Sequence, residues 1–196
     1  MRKTIALVTG CLMAAGLTVV AQHEGGHAGA APKAAATPAA TIKLALSAGP
    51  ADITSHAAVV EPGEGGQMKQ LRAGTNGWVC MAKPEAMCLD KEWQGWADAW
   101  MNKKDPQVKG IGIGYMLKGD KGASNTDPFA SGPTPTNQWV VSPSHVMVLT
   151  PNASQLDALP TDPHNGGPWV MWKGTKYAHI MVPTSPMPPA KAAAAK

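Results

Sequence analysis

Two short stretches share a spelling: HVMVLT from His145 and HIMVPT from His179. In each, a histidine and a methionine stand two residues apart. Residues i and i+2 of a β-strand face the same way, so His145 shares a face with Met147, and His179 with Met181. An imidazole beside a thioether is a soft ligand pair: thioethers select Cu(I), and imidazole also suits copper. If the two strands are neighbours with these faces matched, two imidazoles and two thioethers converge, and copper is the expected cofactor. The same residues also read as plain core. The chain has 11 methionines against one phenylalanine and two tyrosines, and methionine fills irregular interiors. A histidine on an apolar strand is ordinarily a hydrogen-bonded core residue.

Other residue groups that could do chemistry are sparser. Asp127 and Asp162 sit in matching TDP turns, NTDPF and PTDPH. Two carboxylates brought together could do acid–base work, which makes a small secreted hydrolase the alternative function. Against it, Asp before Pro is ordinary turn chemistry, with the side chain bonding nearby backbone. Ser144 directly precedes His145, so on a strand the two face opposite ways, and no GxSxG elbow is present. GDKGASNTD is oxygen-rich but misses the spacing of an EF-hand loop. GIGIG lacks the third glycine of a dinucleotide fingerprint. His23 and His27, in QHEGGH, add a weak metal signal on a segment without bulky apolar residues.

The elements that must position these residues are mostly strands. They are expected near Val59, Leu71 and Val79, from Gly110 to Leu117, at HVMVLT, around Val170 and at YAHIMVP. Between them lie PGEGG, GTNG, KGDKGASNTDP, SGPTPTN and DPHNGGP, all turn chemistry, and PGEGG suggests a hairpin. One segment reads helical. In LDKEWQGWADAWMNKK, Leu89, Trp93, Trp96 and Trp100 recur with the period of one helix face. Asp90 suits the cap, and Lys103 with Lys104 suit the last turn. Gly95 and Ala97 are small enough to seat that helix close to a sheet. A second short helix is expected at SQLDAL. The fold class is therefore α+β, a mostly antiparallel sheet with one principal amphipathic helix packed on it and Gly/Pro-rich loops. Trp93, Trp96 and Trp100 read first as core, and second as a ligand or partner surface.

The chain opens MRKTIALVTGCLMAAGLTVVAQ. A positive start, an apolar run and small residues at Val19 and Ala21 read as a signal peptide, residues 1–21. That predicts a periplasmic or secreted bacterial protein with no transmembrane segment after cleavage. Residues 22–41 are Ala, Gly and Pro and read as a disordered linker. Residues 42–184 read as one globular domain, and residues 185–196 as a disordered Pro/Ala/Lys tail. Of 17 basic residues, Arg2 and Lys3 leave with the signal, so 15 remain against 13 acids. No basic patch interleaved with aromatics points to nucleic acid. Cys11 leaves too. Cys80 and Cys88 are then an even pair in an exported chain and read as a disulfide, worth about 2–3 kcal/mol on the chain-entropy account.

At GTNGWVCM, MCLDKEWQGWADAW, GIGYML, ASNTDP and NGGPWVMWKGTKYAHIMVP the sequence resembles an uncharacterised family of small exported bacterial proteins, from about Leu71 to Pro183. The resemblance implies an exported single domain and carries over no activity, substrate or site residue. Locally, His-x-Met is similar to a pattern in some periplasmic copper carriers. The expected role is a non-catalytic binding or envelope-associated module, with copper binding through the two His-x-Met strands as its sharpest form. Its protein or small-ligand partner is not specified by the sequence.

Overall fold

The computed structural model describes residues 36–189. The folded chain starts earlier than composition suggests. Helix α1 spans Pro38–Leu46, with Thr37 as its cap accepting from Ala40 N and proline at the first helical position, where its missing N–H costs nothing. The linker expected to reach Thr41 therefore ends before Thr37, because Thr41 and Ala45 bury one face of this helix. Residues 22–35 of that linker, the signal segment and residues 190–196 lie outside the described residues. A single-turn helix α2, Ala51–Thr54, follows.

Ten strands are present among the described residues. They are β1 (Ala58–Pro62), β2 (Met68–Arg72), β3 (Val79–Met81), β4 (Met87–Leu89), β5 (Gly112–Met116), β6 (Ala123–Ser124), β7 (Trp139–Val140), β8 (His145–Leu149), β9 (Trp169–Met171) and β10 (His179–Pro183). Eight form one sheet in the order β2-β1-β3-β4-β5-β8-β10-β9, and β6 pairs with β7 separately. Every neighbouring pair in the large sheet is antiparallel except β1 with β3. The α+β expectation holds. PGEGG does connect a hairpin, β1 to β2, through a 3-10 turn at Glu64–Gly66. SQLDAL forms only a 3-10 turn, Ala153–Leu156. Strand β4 was not expected: Leu89, read as the first residue of the tryptophan stripe, instead ends this strand.

Helix α3 spans Lys91–Met101. Its cap, Asp90, serves two elements. One carboxylate oxygen accepts from Trp93 N at 2.9 Å, and the other accepts from Ile113 N of β5 at 2.5 Å. The start of the helix is thus tied to the sheet. Gly95 faces solvent with nothing within 4 Å of a Cβ placed there, so it does not seat the helix. The room comes from the sheet side. A Cβ on Gly112 would lie 3.0 Å from Glu92 Cβ, and one on Gly114 would lie 3.4 Å from Trp93 Cδ1 and 2.9 Å from Met147 Cε. Gly112 and Gly114 of GIGIG thus make space for α3 rather than for a phosphate.

Alternation along the strands sorts the interior into two cores. Gly112, Gly114 and Met116 of β5 and His145, Met147 and Leu149 of β8 point to the buried side. That side joins Trp93, Trp96, Met171, Trp172, Tyr177 and Met181 in one cluster. The second cluster contains Ala45 and Ala48 from the α1 region, with Val59 and Tyr115 packed around Cys80 and Cys88. These cysteines sit directly across β3 and β4 and form a disulfide.

Candidate functional site

Strands β8 and β10 are hydrogen-bonded neighbours, and their His-x-Met faces match. Met147 lies directly opposite Met181, and His145 opposite Pro183. Because the pairing is antiparallel, the histidines fall at opposite ends of this ladder. Four positions of β10, Pro183 back to His179, separate their levels, about 13 Å of strand. The four backbone positions form a line, with the methionine pair in the middle and a histidine diagonal to it at each end.

The flanking strands add to this line. On β5, Met116 lies directly opposite His145. On β9, Met171 lies directly opposite His179. Cross-strand partners have Cβ atoms about 4.5–5.5 Å apart. Each histidine therefore has one methionine two residues along its own strand and another across the ladder. Neither Met116 nor Met171 stood out in the sequence, because nothing in it gives strand order. Met116 ends the alternating run GIGIGYM on the face of its glycines, which is the only signal it carries. Seven of the chain's 11 methionines belong to this core or pack against it. Among the described residues no three His, Cys, Asp or Glu side chains gather as a ligand group, so a metal set on this face draws on thioethers.

Both imidazoles are held the same way. His145 Nδ1 is 2.7 Å from Pro143 O, and His179 Nδ1 is 3.0 Å from Tyr177 O, in each case the carbonyl two residues upstream. A carbonyl only accepts, so Nδ1 carries the proton and Nε2 keeps a lone pair. That is the tautomer of a histidine poised to ligate through Nε2. Burial lowers both pKa values. For His145 desolvation dominates, opposed by the Pro143 carbonyl and the negative charge of Asp120. For His179 burial pushes the value down to about 4; the Tyr177 carbonyl works against this, and the neighbouring His145 adds to it. Both rings are neutral at pH 7.

The two Nε2 atoms differ in their surroundings. His145 is fully buried, and its Nε2 has no hydrogen-bond partner. A buried polar atom without a partner costs about 1–3 kcal/mol. Only Ser142 Oγ shares that condition among the described side chains. His179 is packed edge-on against three tryptophans, Trp93, Trp96 and Trp172, at centroid distances of 5.3, 5.5 and 5.0 Å.

The tryptophan stripe is core. Trp93 and Trp96 are 2% and 5% exposed, so they offer no docking surface, and Trp100 is half-buried. Trp93 Nε1 donates to Met147 O at 3.2 Å, and Trp100 Nε1 to Pro128 O at 3.0 Å. The aspartates of the two TDP turns are exposed, and each accepts from the backbone two residues on: Asp127 from Phe129 N, Asp162 from His164 N. Asn125 Nδ2 donates to Thr161 O and ties the two segments together, but the carboxylates themselves do turn work.

No helix of the described residues is long and apolar enough to cross a membrane. Compared with known proteins, the chain matches no family model, no curated sequence and no solved structure.

Proposed function

We propose that this chain is an exported bacterial binding module, without catalysis, that holds a soft metal ion, Cu(I), on the face carrying His145, Met147, His179 and Met181. One observation carries the reading: the lone pair of His145 Nε2 is buried and unpartnered on a methionine-rich face. A soft monovalent ion between that nitrogen and neighbouring thioethers would satisfy it, with ligand types suited to Cu(I). The carbonyl behind Nδ1 fixes the ring as such ligands require. The register supports an ion held by one imidazole with thioethers rather than by both imidazoles. Export is supported by the signal-like N-terminus and by the disulfide, which persists in oxidising compartments.

Anaerobic competition of the full chain against a chromophoric Cu(I) chelator tests the reading. The expected result is one tight equivalent that survives His23→Ala/His27→Ala and is lost in Met147→Leu/Met181→Leu. Binding unchanged in that double methionine variant would refute it. Mass spectrometry of the exported protein checks location, with an N-terminus at Gln22 expected. The hydrolase alternative has less support, because Asp127 and Asp162 each already serve a turn.

A further inference from the structure

The ladder has local pseudo-symmetry. About the Met147–Met181 pair, His145 with Met116 across from it mirrors His179 with Met171 across from it. Each end thus offers one imidazole and two thioethers: His145, Met147 and Met116 at one, His179, Met181 and Met171 at the other. Resting on the soft-metal reading above, we infer that the site lies at the first end and that Met116 is its third ligand, so that His145 Nε2, Met147 and Met116 hold Cu(I).

Two observations favour this end. His145 Nε2 is a buried atom without a partner, whereas the ring of His179 is enclosed by Trp93, Trp96 and Trp172. Met116 is buried and is the direct cross-strand neighbour of His145, as Met171 is of His179, so the thioethers alone do not distinguish the ends. Asp120 Oδ1 accepts from Ser142 N at 2.8 Å, on the segment that leads into His145, so a carboxylate group lies near this end of the ladder. One nitrogen and two thioether sulfurs suit Cu(I), a soft ion. Binding is simple ligation: two sulfurs and one nitrogen each donate a lone pair, and no proton has to leave, because Nε2 is already free.

The mirror-related methionines supply the test and its control. Met116→Leu and Met171→Leu are both volume-conserving changes in one core, tolerated at small cost. Each is made in the full chain with His23→Ala/His27→Ala, and thermal unfolding verifies the fold. Cu(I) affinity is then measured against the chelator with ascorbate present. The expected result is a loss of about tenfold or more for Met116→Leu, the scale on which even outer partners of a metal act, with Met171→Leu unchanged. X-ray absorption at the copper edge should show one nitrogen and two sulfurs in the parent and one sulfur fewer in Met116→Leu. Equal losses, no loss, or loss only in Met171→Leu would overturn the assignment while leaving copper binding itself intact. Absence of tight binding in the parent would instead refute the soft-metal reading, and the ligand set with it.

Discussion

The ends of the β8–β10 ladder are spelled alike and enclosed differently. At one end the His179 ring meets three indoles edge-on, and two of these, Trp96 and Trp172, are themselves stacked at 5.9 Å with 5° between their planes. At the other end His145 lies beside the turn Ser142–Ser144, and no aromatic contact is found for its ring among the described residues; its Nε2 and Ser142 Oγ both lack partners. The difference comes from α3, which lays Trp93 and Trp96 over one end only. Both rings keep a lone pair on Nε2, but the one at His179 sits under three indoles while the one at His145 is fully enclosed without a partner. A repeated motif does not imply a repeated role, because the role depends on the element that covers it.

The largest effect that would sharpen this contrast is at Trp96, which touches Trp93, Trp100, Trp172, Tyr177 and His179. Trp96→Ala should cost about 3–5 kcal/mol, read by urea denaturation. Next comes pH. His179 falls from 6.5 to about 4 on folding. Between those values the unfolded chain binds the proton and the folded chain does not, so stability rises with pH across that window and is lost as pH falls through it. The contribution is fully present above pH 6.5 and lost below about 4, on the order of 3 kcal/mol. His145, also lowered, acts in the same direction. His179→Phe should remove most of the dependence. An unchanged pH profile in that variant would break the contrast between the two ends.

Smaller effects follow. Gly114→Ala puts a Cβ 2.9 Å from Met147 Cε and 3.2 Å from Leu89 Cδ2; overpacking of this kind costs about 1–3 kcal/mol. It should also weaken Cu(I) binding by displacing Met147, and thermal unfolding with chelator competition reads both. Asp127→Asn and Asp162→Asn should change stability by only about 0.5 kcal/mol, since the amide oxygen can still accept the turn hydrogen bond. Loss of a hydrolytic activity in either variant would revive the alternative function.

Much of this was legible in the sequence, and the rest failed for identifiable reasons. Period-2 alternation placed β8 and β10 and named the residues on their buried faces. The 3.6-residue period placed α3, and Asp90 caps it as expected. The disulfide followed from the pair of cysteines left once Cys11 is assigned to the signal segment. Strand order is a long-range property that no local pattern encodes, so Met116 and Met171 could not be paired with the histidines. Strand β4 was missed because three residues carry too little periodicity, and its cue, Cys88 opposite Cys80, depends on the fold. Helix α1 was missed because Ala and Pro composition reads as linker, although Thr37-Pro38 is a helix start. GIGIGYML reads as a strand, but no local pattern tells that Gly114 answers the bulk of Trp93 across the helix–sheet contact.

The most direct test of the central claim is the Cu(I) competition titration of the full chain and its Met147→Leu/Met181→Leu variant, both carrying His23→Ala/His27→Ala. One tight equivalent in the parent and none in the variant is the predicted result. Equal binding by the two, or no binding by either, would contradict it. The His-x-Met face would then be core, with a buried water left to satisfy His145 Nε2.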